Sequence, residues 1–281
     1  MRLSSLTGLV GVFITSALAV VSGAGCSRVV KATEIEPVPH PGYADIAPEA
    51  ARSPEIIGFS HQGRPLVVEM FGCGPVRVYI IGGIHGDETE GRTDLHELRM
   101  ALAESPLAGE LTVRILHDMN PDGTAMKSRG NAADVDLNRN WPAKNFRPAR
   151  NNETGLSPLS EVETAAAHAD ITKFDPALIL VMHSIRSGPF VNFDGPASEP
   201  AAVFAGSAGW RVVPDMGYAT PGSMGSYFGR DLGVPILTLE YKRGDESGRV
   251  LVQGLNAMAV GNRLQARHKA DGPRNVDEVG N

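Results

Sequence analysis

Two residue types able to bind a metal stand three positions apart in "GGIHGDETEG", residues 82–91: His85 and Glu88. They follow the β-branched run "VRVYII", so they mark the point where a buried strand stops. Glycines 82, 83 and 86 give the backbone the freedom to turn both side chains toward one point. A His and a Glu do not by themselves hold zinc; a third ligand is needed, with a fourth position left open where the metal is catalytic. His183 ends another apolar run, "ALILVMHS", and supplies a third ligand of the right type. Each element alone is common. An HxxE is a frequent surface-loop pattern, and a lone His at a strand end is usually a core residue.

Glu240 closes a third apolar run, "VPILTLE". Beside a water activated by zinc, a carboxylate there would serve as general base and later protonate a departing amine. A fourth segment, "RGNAADVDLNRNW" (129–141), gathers Arg129, Asp136, Asn138, Arg139 and Asn140. Guanidinium groups grip carboxylates bidentately and stabilise oxyanions.

These residues need a frame. Strand patterns ("PLVVEMFG", "VRVYIIGG", "LTVRILHDM", "ALILVMHS", "VPILTLEY") alternate with helical ones ("TDLHELRMALAES", "SPLSEVETAAAHADITKF", "EPAAVFAGSAGW", "VLVQGLNAMAVGNRLQARH"). The second helical pattern is expected to begin at Pro158, with Ser160 and Glu163 forming a capping box. "NPDG" (120–123) reads as a turn. The alternation implies an α/β fold, an open sheet with helices on both faces. Ligand sites in such sheets lie beyond the carboxyl ends of the strands, where His85, His183 and Glu240 fall.

The ordered set "GGIHGDE", "NPDG", "RGNAADVDLNRNW", "MHS", "TPGS" and "LTLE" resembles the zinc carboxypeptidases of the carboxypeptidase A type, from about Ile57 to Glu240 and through the last helix. Within that family, "FVNFDGPA", "YATPGSMGSYFG" and "PILTLE" are similar to the bacterial murein tripeptide amidases, which cleave the γ-D-glutamyl–meso-diaminopimelate bond of cell-wall peptides. The resemblance implies a single domain with a mixed sheet of about eight strands. It implies one zinc ion held by His85, Glu88 and His183. Asp136 would orient the first ligand histidine. Arg129 would polarise the scissile carbonyl, and Glu240 would be the base. Asn138 and Arg139 would hold the substrate's free α-carboxylate. Tyr218 stands near the place of the family's substrate-binding tyrosine, with Tyr227 as a weaker candidate. The floor of the specificity pocket would lie near Met224 and Gly225. Arg186, three residues after His183, is a candidate for a second carboxylate.

Two other readings use the same residues. One is a zinc N-acyl amino acid deacylase of the aspartoacylase or succinylglutamate desuccinylase kind. The other is an inactive wall-binding lipoprotein that keeps the fold.

The remainder of the 281 residues bounds the setting. Net charge is −6 with no basic block, so nucleic acid is not an expected partner. Residues 1–25 follow secretory-signal grammar: Arg2, an apolar stretch from Leu6 to Val21, then small residues. "GAGC" resembles a lipobox, which would place a lipid on Cys26 and attach the protein to a membrane facing the periplasm or cell exterior; cleavage after Ala24 is the alternative. If Cys26 carries lipid, Cys73, the other of two cysteines, has no disulfide partner. The proline-containing stretch 26–53 reads as a tether, 54–268 as the catalytic domain, and 269–281 as a loose tail.

Overall fold

The computed structural model describes residues 54–104, 110–148, 153–218, 220–245 and 248–260. The expected signal segment (1–25), the tether with Cys26 (26–53) and the tail (269–281) lie outside the described residues. Eight strands form one sheet: β1 (Glu55–Phe59), β2 (Pro65–Phe71), β3 (Val76–Ile81), β4 (Leu111–Leu116), β5 (Leu178–Ile185), β6 (Phe190–Asp194), β7 (Arg211–Val212) and β8 (Ile236–Lys242). Their order is β1-β2-β4-β3-β5-β8-β6-β7. The central four, β4, β3, β5 and β8, run parallel. They are buried on both faces, which is why they read as unbroken apolar runs. β1/β2, β2/β4 and β6/β8 pair antiparallel, making the sheet mixed as expected.

Side-chain alternation splits the core in two. Leu180 and Met182 of β5 and Leu237, Leu239 and Tyr241 of β8 join one cluster. It is covered by helices α1 (Arg92–Glu104), α4 (Ser198–Ala208) and α5 (Val250–Val260). Ile179 and Val181 of β5 and Ile236 of β8 join the other, under α3 (Val162–Phe174), Trp141 and a π-helical segment, Gly225–Asp231. By the same period of two, His183 and Glu240 point to this second face.

Two local expectations are corrected. "NPDG" does not simply turn: Asn120 caps a short helix, α2 (Pro121–Met126), its Oδ1 accepting the Gly123 N–H at 2.9 Å. Helix α3 starts at Val162, not Pro158, and has no capping box. Tertiary partners take the expected cap residues instead. Ser160 Oγ accepts from Asn140 Nδ2 at 3.0 Å, and Glu163 accepts from the His61 N–H at 3.1 Å and from Asn131 Nδ2 at 3.2 Å.

One buried acid fixes β8 from behind. Asp94 of α1 is fully buried, accepts from the Tyr241 hydroxyl, and accepts the Leu251 N–H at 3.1 Å near the start of α5. Burial raises its pKa to about 6, against the opposing pull of those donors. Folding therefore favours the protonated acid. The stability this confers is complete below the unfolded pKa, about 3.9, and is lost as pH rises through about 6. The stability difference between wild type and Asp94→Asn should therefore shift against wild type by about 2–3 kcal/mol between pH 4 and pH 7. Denaturant unfolding of both proteins across that range measures it, and parallel curves would disprove it.

Candidate active site

The turn after β3 is built to a tight specification. Gly83 adopts φ +63°, which a side chain disfavours. Gly86 is required by proximity instead: a Cβ there would lie 1.9 Å from the carbonyl carbon of Gly123 in α2. With the loop seated on α2, His85 and Glu88 meet His183. His85 Nδ1 is 3.0 Å from Glu88 Oε1, and His183 Nδ1 is 2.9 Å from Glu88 Oε2. The two Nδ1 atoms are 3.1 Å apart. All three residues are buried.

Two imidazole nitrogens facing each other and a carboxylate need a cation or proton between them. Edges near 3 Å also match the spacing of ligands that bind zinc at about 2.0–2.2 Å. A His₂Glu set is a catalytic rather than a structural zinc arrangement. The donors thus fit a zinc ion.

Asp136 lies behind His85, its Oδ1 3.0 Å from Nε2. This contact places the ring proton on Nε2 and leaves the Nδ1 lone pair for a metal. Asp136 starts a short 3₁₀ turn, Leu137–Arg139, and also accepts the Asn138 N–H at 2.8 Å. Arg129 bridges the acids, with Nε 3.1 Å from Asp136 Oδ2 and Nη1 3.2 Å from Glu88 Oε1. Burial raises the Glu88 carboxyl pKa, but His183 and His85 outweigh it and hold the group well below the carboxylate range. Burial likewise lowers the His85 pKa, and Asp136 and Glu88 more than reverse that.

Glu240 sits directly beside His183, its register partner in the neighbouring strand. Its pKa is raised by burial, and by Glu88 nearby, against the lowering influence of His183. Both residues line a cavity of about 470 Å³, together with His85, Glu88, Arg129, Asn138, Arg139, Arg186 and Tyr218.

The remaining expected residues divide. Asn138 lines the cavity, and its amide oxygen is already used. Oδ1 accepts the Met224 N–H at 3.0 Å, and Nδ2 lies 3.2 Å from His183 Nε2. Arg139 is braced by its Nη1 on the Asn138 carbonyl at 2.8 Å. Tyr218 is exposed and at the cavity, whereas Tyr227 is buried with its hydroxyl 3.1 Å from His168. Met224 is a correction. Its side chain is 1% exposed and packs in the core with Trp141 and Phe228, so it cannot form the cavity floor. The following residue, Gly225, lines the cavity, and a Cβ there would collide with Asp194 Oδ2 at 2.1 Å. Asp194, Asn192, Thr238 and Arg243 also line the cavity without having been singled out by sequence. Asn192 and Asp194 both lie inside "FVNFDGPA", which was their sequence signal.

The fold and site together define a metal-dependent peptidase. The sequence profile of the zinc carboxypeptidases matches residues 47–201, and the chain belongs to that family. Among its relatives is murein peptide amidase A of Escherichia coli K12, 32% identical over 177 residues that cover 58% of this chain and 69% of that protein. The corresponding enzyme of Vibrio campbellii is 31% identical over 179 residues, covering 58% and 68%. The crystal structure of a murein-tripeptide amidase from E. coli O157 superposes with a TM-score of 0.60 at 28% identity, over 82% of this chain and 98% of that one. Carboxypeptidase A from Helicoverpa armigera, at 17% identity and a TM-score of 0.61 over 75% and 69%, shares the fold.

Each chain should bind one zinc ion. Glu88→Gln should abolish stoichiometric zinc, and Asp136→Asn should weaken it about 10–100-fold. Chelator competition with metal analysis measures both, and an Asp136→Asn protein with unchanged affinity would contradict the placement.

Proposed function

We propose that this zinc peptidase hydrolyses the amide bond between a γ-linked D-glutamate and a diamino acid with a free α-carboxylate, as in murein peptides. The observation that carries this reading is the mixed charge of one cavity. Arg139 and Arg186 offer guanidinium groups, and Asp194 offers an acid beside Gly225. A diaminopimelate side chain ends in both an ammonium and a carboxylate, and it needs both kinds of partner. An apolar pocket would serve neither. The similarity to murein peptide amidases supports the same substrate.

His85, Glu88 and His183 hold the zinc. When bound, the metal supplies Lewis acidity that polarises a carbonyl and makes water a stronger acid. The chain does the rest. Arg139, helped by the Nδ2 hydrogens of Asn138, holds the α-carboxylate of the leaving residue and so fixes the amide relative to Glu240. Arg129 donates to the carbonyl oxygen as negative charge collects there. A Glu240 carboxylate oxygen takes a proton from water and returns it to the departing nitrogen. Tyr218, at the mouth, is positioned to cover the bound peptide. Asp194 takes the ammonium of the side chain. Its Oδ1 also accepts from Arg230 Nε at 2.6 Å, and that arginine is largely exposed. The signal-like N-terminus supports export, with lipid on Cys26 as the anchor, so the substrate would be met outside the inner membrane. Among the described residues, no helix is long and apolar enough to cross a membrane.

Glu240→Gln should keep zinc and lose about 10²–10⁴-fold in kcat on L-Ala-γ-D-Glu-meso-diaminopimelate. Mass spectrometry of the digest reads this, and near-full turnover would remove Glu240 from the role. Asp194→Ala should raise KM for the diaminopimelate peptide about tenfold or more, with little change for a peptide whose leaving residue is alanine. Equal losses on the two peptides would show that Asp194 does not read the ammonium.

A further inference from the structure

Arg243 follows β8, three residues beyond Glu240, and belongs to none of the motifs above. Sheet register places it relative to the pocket. In the antiparallel β6/β8 pair, Glu240 is opposite Phe190, Thr238 opposite Asn192, and Ile236 opposite Asp194. Each residue advances a strand by about 3.3 Å, so Asp194 lies roughly 13 Å from the Glu240 level, toward the start of β8. Arg243 lies past the opposite, carboxyl end. Glu240 therefore separates the side-chain pocket from Arg243.

Arg243 is firmly held. Its Nη1 and Nη2 are each 3.2 Å from Asp87 Oδ2, and Nη1 is 3.3 Å from the Asp87 carbonyl oxygen. The Gly244 N–H donates to Glu90 Oε1 at 2.9 Å and ties down the same turn. Nη2 lies 3.5 Å from Glu88 Oε1, the oxygen that Arg129 approaches to 3.2 Å. Two guanidinium groups from separate loops thus flank one side of the candidate metal ligands, and both line the cavity.

A substrate whose leaving residue occupies the Arg139 and Asp194 side must run its acyl part the other way, past Arg129 and Arg243. Arg129 is committed to the scissile carbonyl. A second guanidinium fixed beside it, although paired with Asp87, is complemented better by an acyl group carrying its own anion than by a neutral one. An ordinary α-peptide places neutral backbone there. A γ-linked glutamate places its α-carboxylate three carbons from the scissile carbonyl.

We infer that Arg243 binds a carboxylate on the acyl side of the scissile bond and selects γ-linked acidic residues over neutral ones. This rests on the substrate reading above and adds a residue that reads the other half of the peptide.

The test uses the zinc-loaded full chain with L-Ala-γ-D-Glu-meso-diaminopimelate and its isoglutaminyl counterpart, in which that carboxylate is an amide. Wild type should favour the acid by about tenfold or more in kcat/KM, chiefly through KM. In Arg243→Ala and Arg243→Gln, with zinc content and Tm checked against wild type, the ratio should fall toward one, and Arg243→Lys should restore part of it. Calorimetry with the dipeptides L-Ala-D-Glu and L-Ala-D-isoglutamine should show the same preference and its loss without any turnover. A ratio unchanged in Arg243→Ala, or a wild type that takes both substrates equally, would overturn the inference. If neither tripeptide were cleaved but the dipeptide preference still depended on Arg243, the murein substrate would be wrong and the role of Arg243 would stand.

Discussion

The site is organised around the cost of burying the Glu88 carboxylate. It is only 8% exposed, and an uncompensated charge at such a place would cost several kcal/mol. Its neighbours are arranged accordingly. His85 and His183 face its two oxygens, the Ser184 N–H donates to Oε2 at 3.0 Å, and Arg129 and Arg243 approach Oε1. These partners come from the β3 turn, β5, the 129–141 loop and the turn after β8. The carboxylate therefore draws four separate parts of the chain to one point. The same convergence provides the ligand geometry that a zinc ion shares.

The sheet makes that convergence reproducible. Parallel register sets His183 against Glu240, and the two-residue period sends both to the face opposite Tyr241. A slip of one residue in β8 would turn Glu240 into the apolar layer and Tyr241 toward the cavity. The Tyr241–Asp94–Leu251 network guards against such a slip by giving the tyrosine hydroxyl a buried partner on the far face.

Sequence reasoning was most effective where function and strand ends coincide. His183 and Glu240 each close an apolar run, and His85 and Glu88 stand in the turn just after one, so hydrophobic pattern and chemistry mark the same places. The open sheet with helices on both faces was legible for the same reason, because the central parallel strands are continuously apolar, whereas its mixed character followed only from the resemblance to the zinc carboxypeptidases. Failures cluster where tertiary contacts overrule local grammar. Ser160 and Glu163 have capping-box spacing, yet their side chains serve neighbouring loops. Met224 follows a turn expected to face the pocket, but the π-helical segment that begins at Gly225 carries its side chain inward. Arg243 has no local signature, and Asp194 has only its place in "FVNFDGPA". Their meaning arises from the antiparallel pairing of β6 with β8 and from the reach of a turn to Asp87, and neither is written in the nearby sequence.

The charges of the cavity form a sequence along the axis of β8. Asp194 lies toward its start, Glu240 at its carboxyl end and Arg243 beyond, with Arg129 approaching the Glu88 carboxylate from another loop. A neutral or singly charged ligand would displace water from several of these groups without replacing its hydrogen bonds, which is unfavourable for each. A ligand with alternating cationic and anionic groups at matching intervals satisfies them together. Discrimination then comes from the penalty on incomplete ligands more than from the strength of any one contact. On this argument the spacing of charges along one strand axis decides which peptide is cut, while the metal-binding triad decides only that a peptide can be cut.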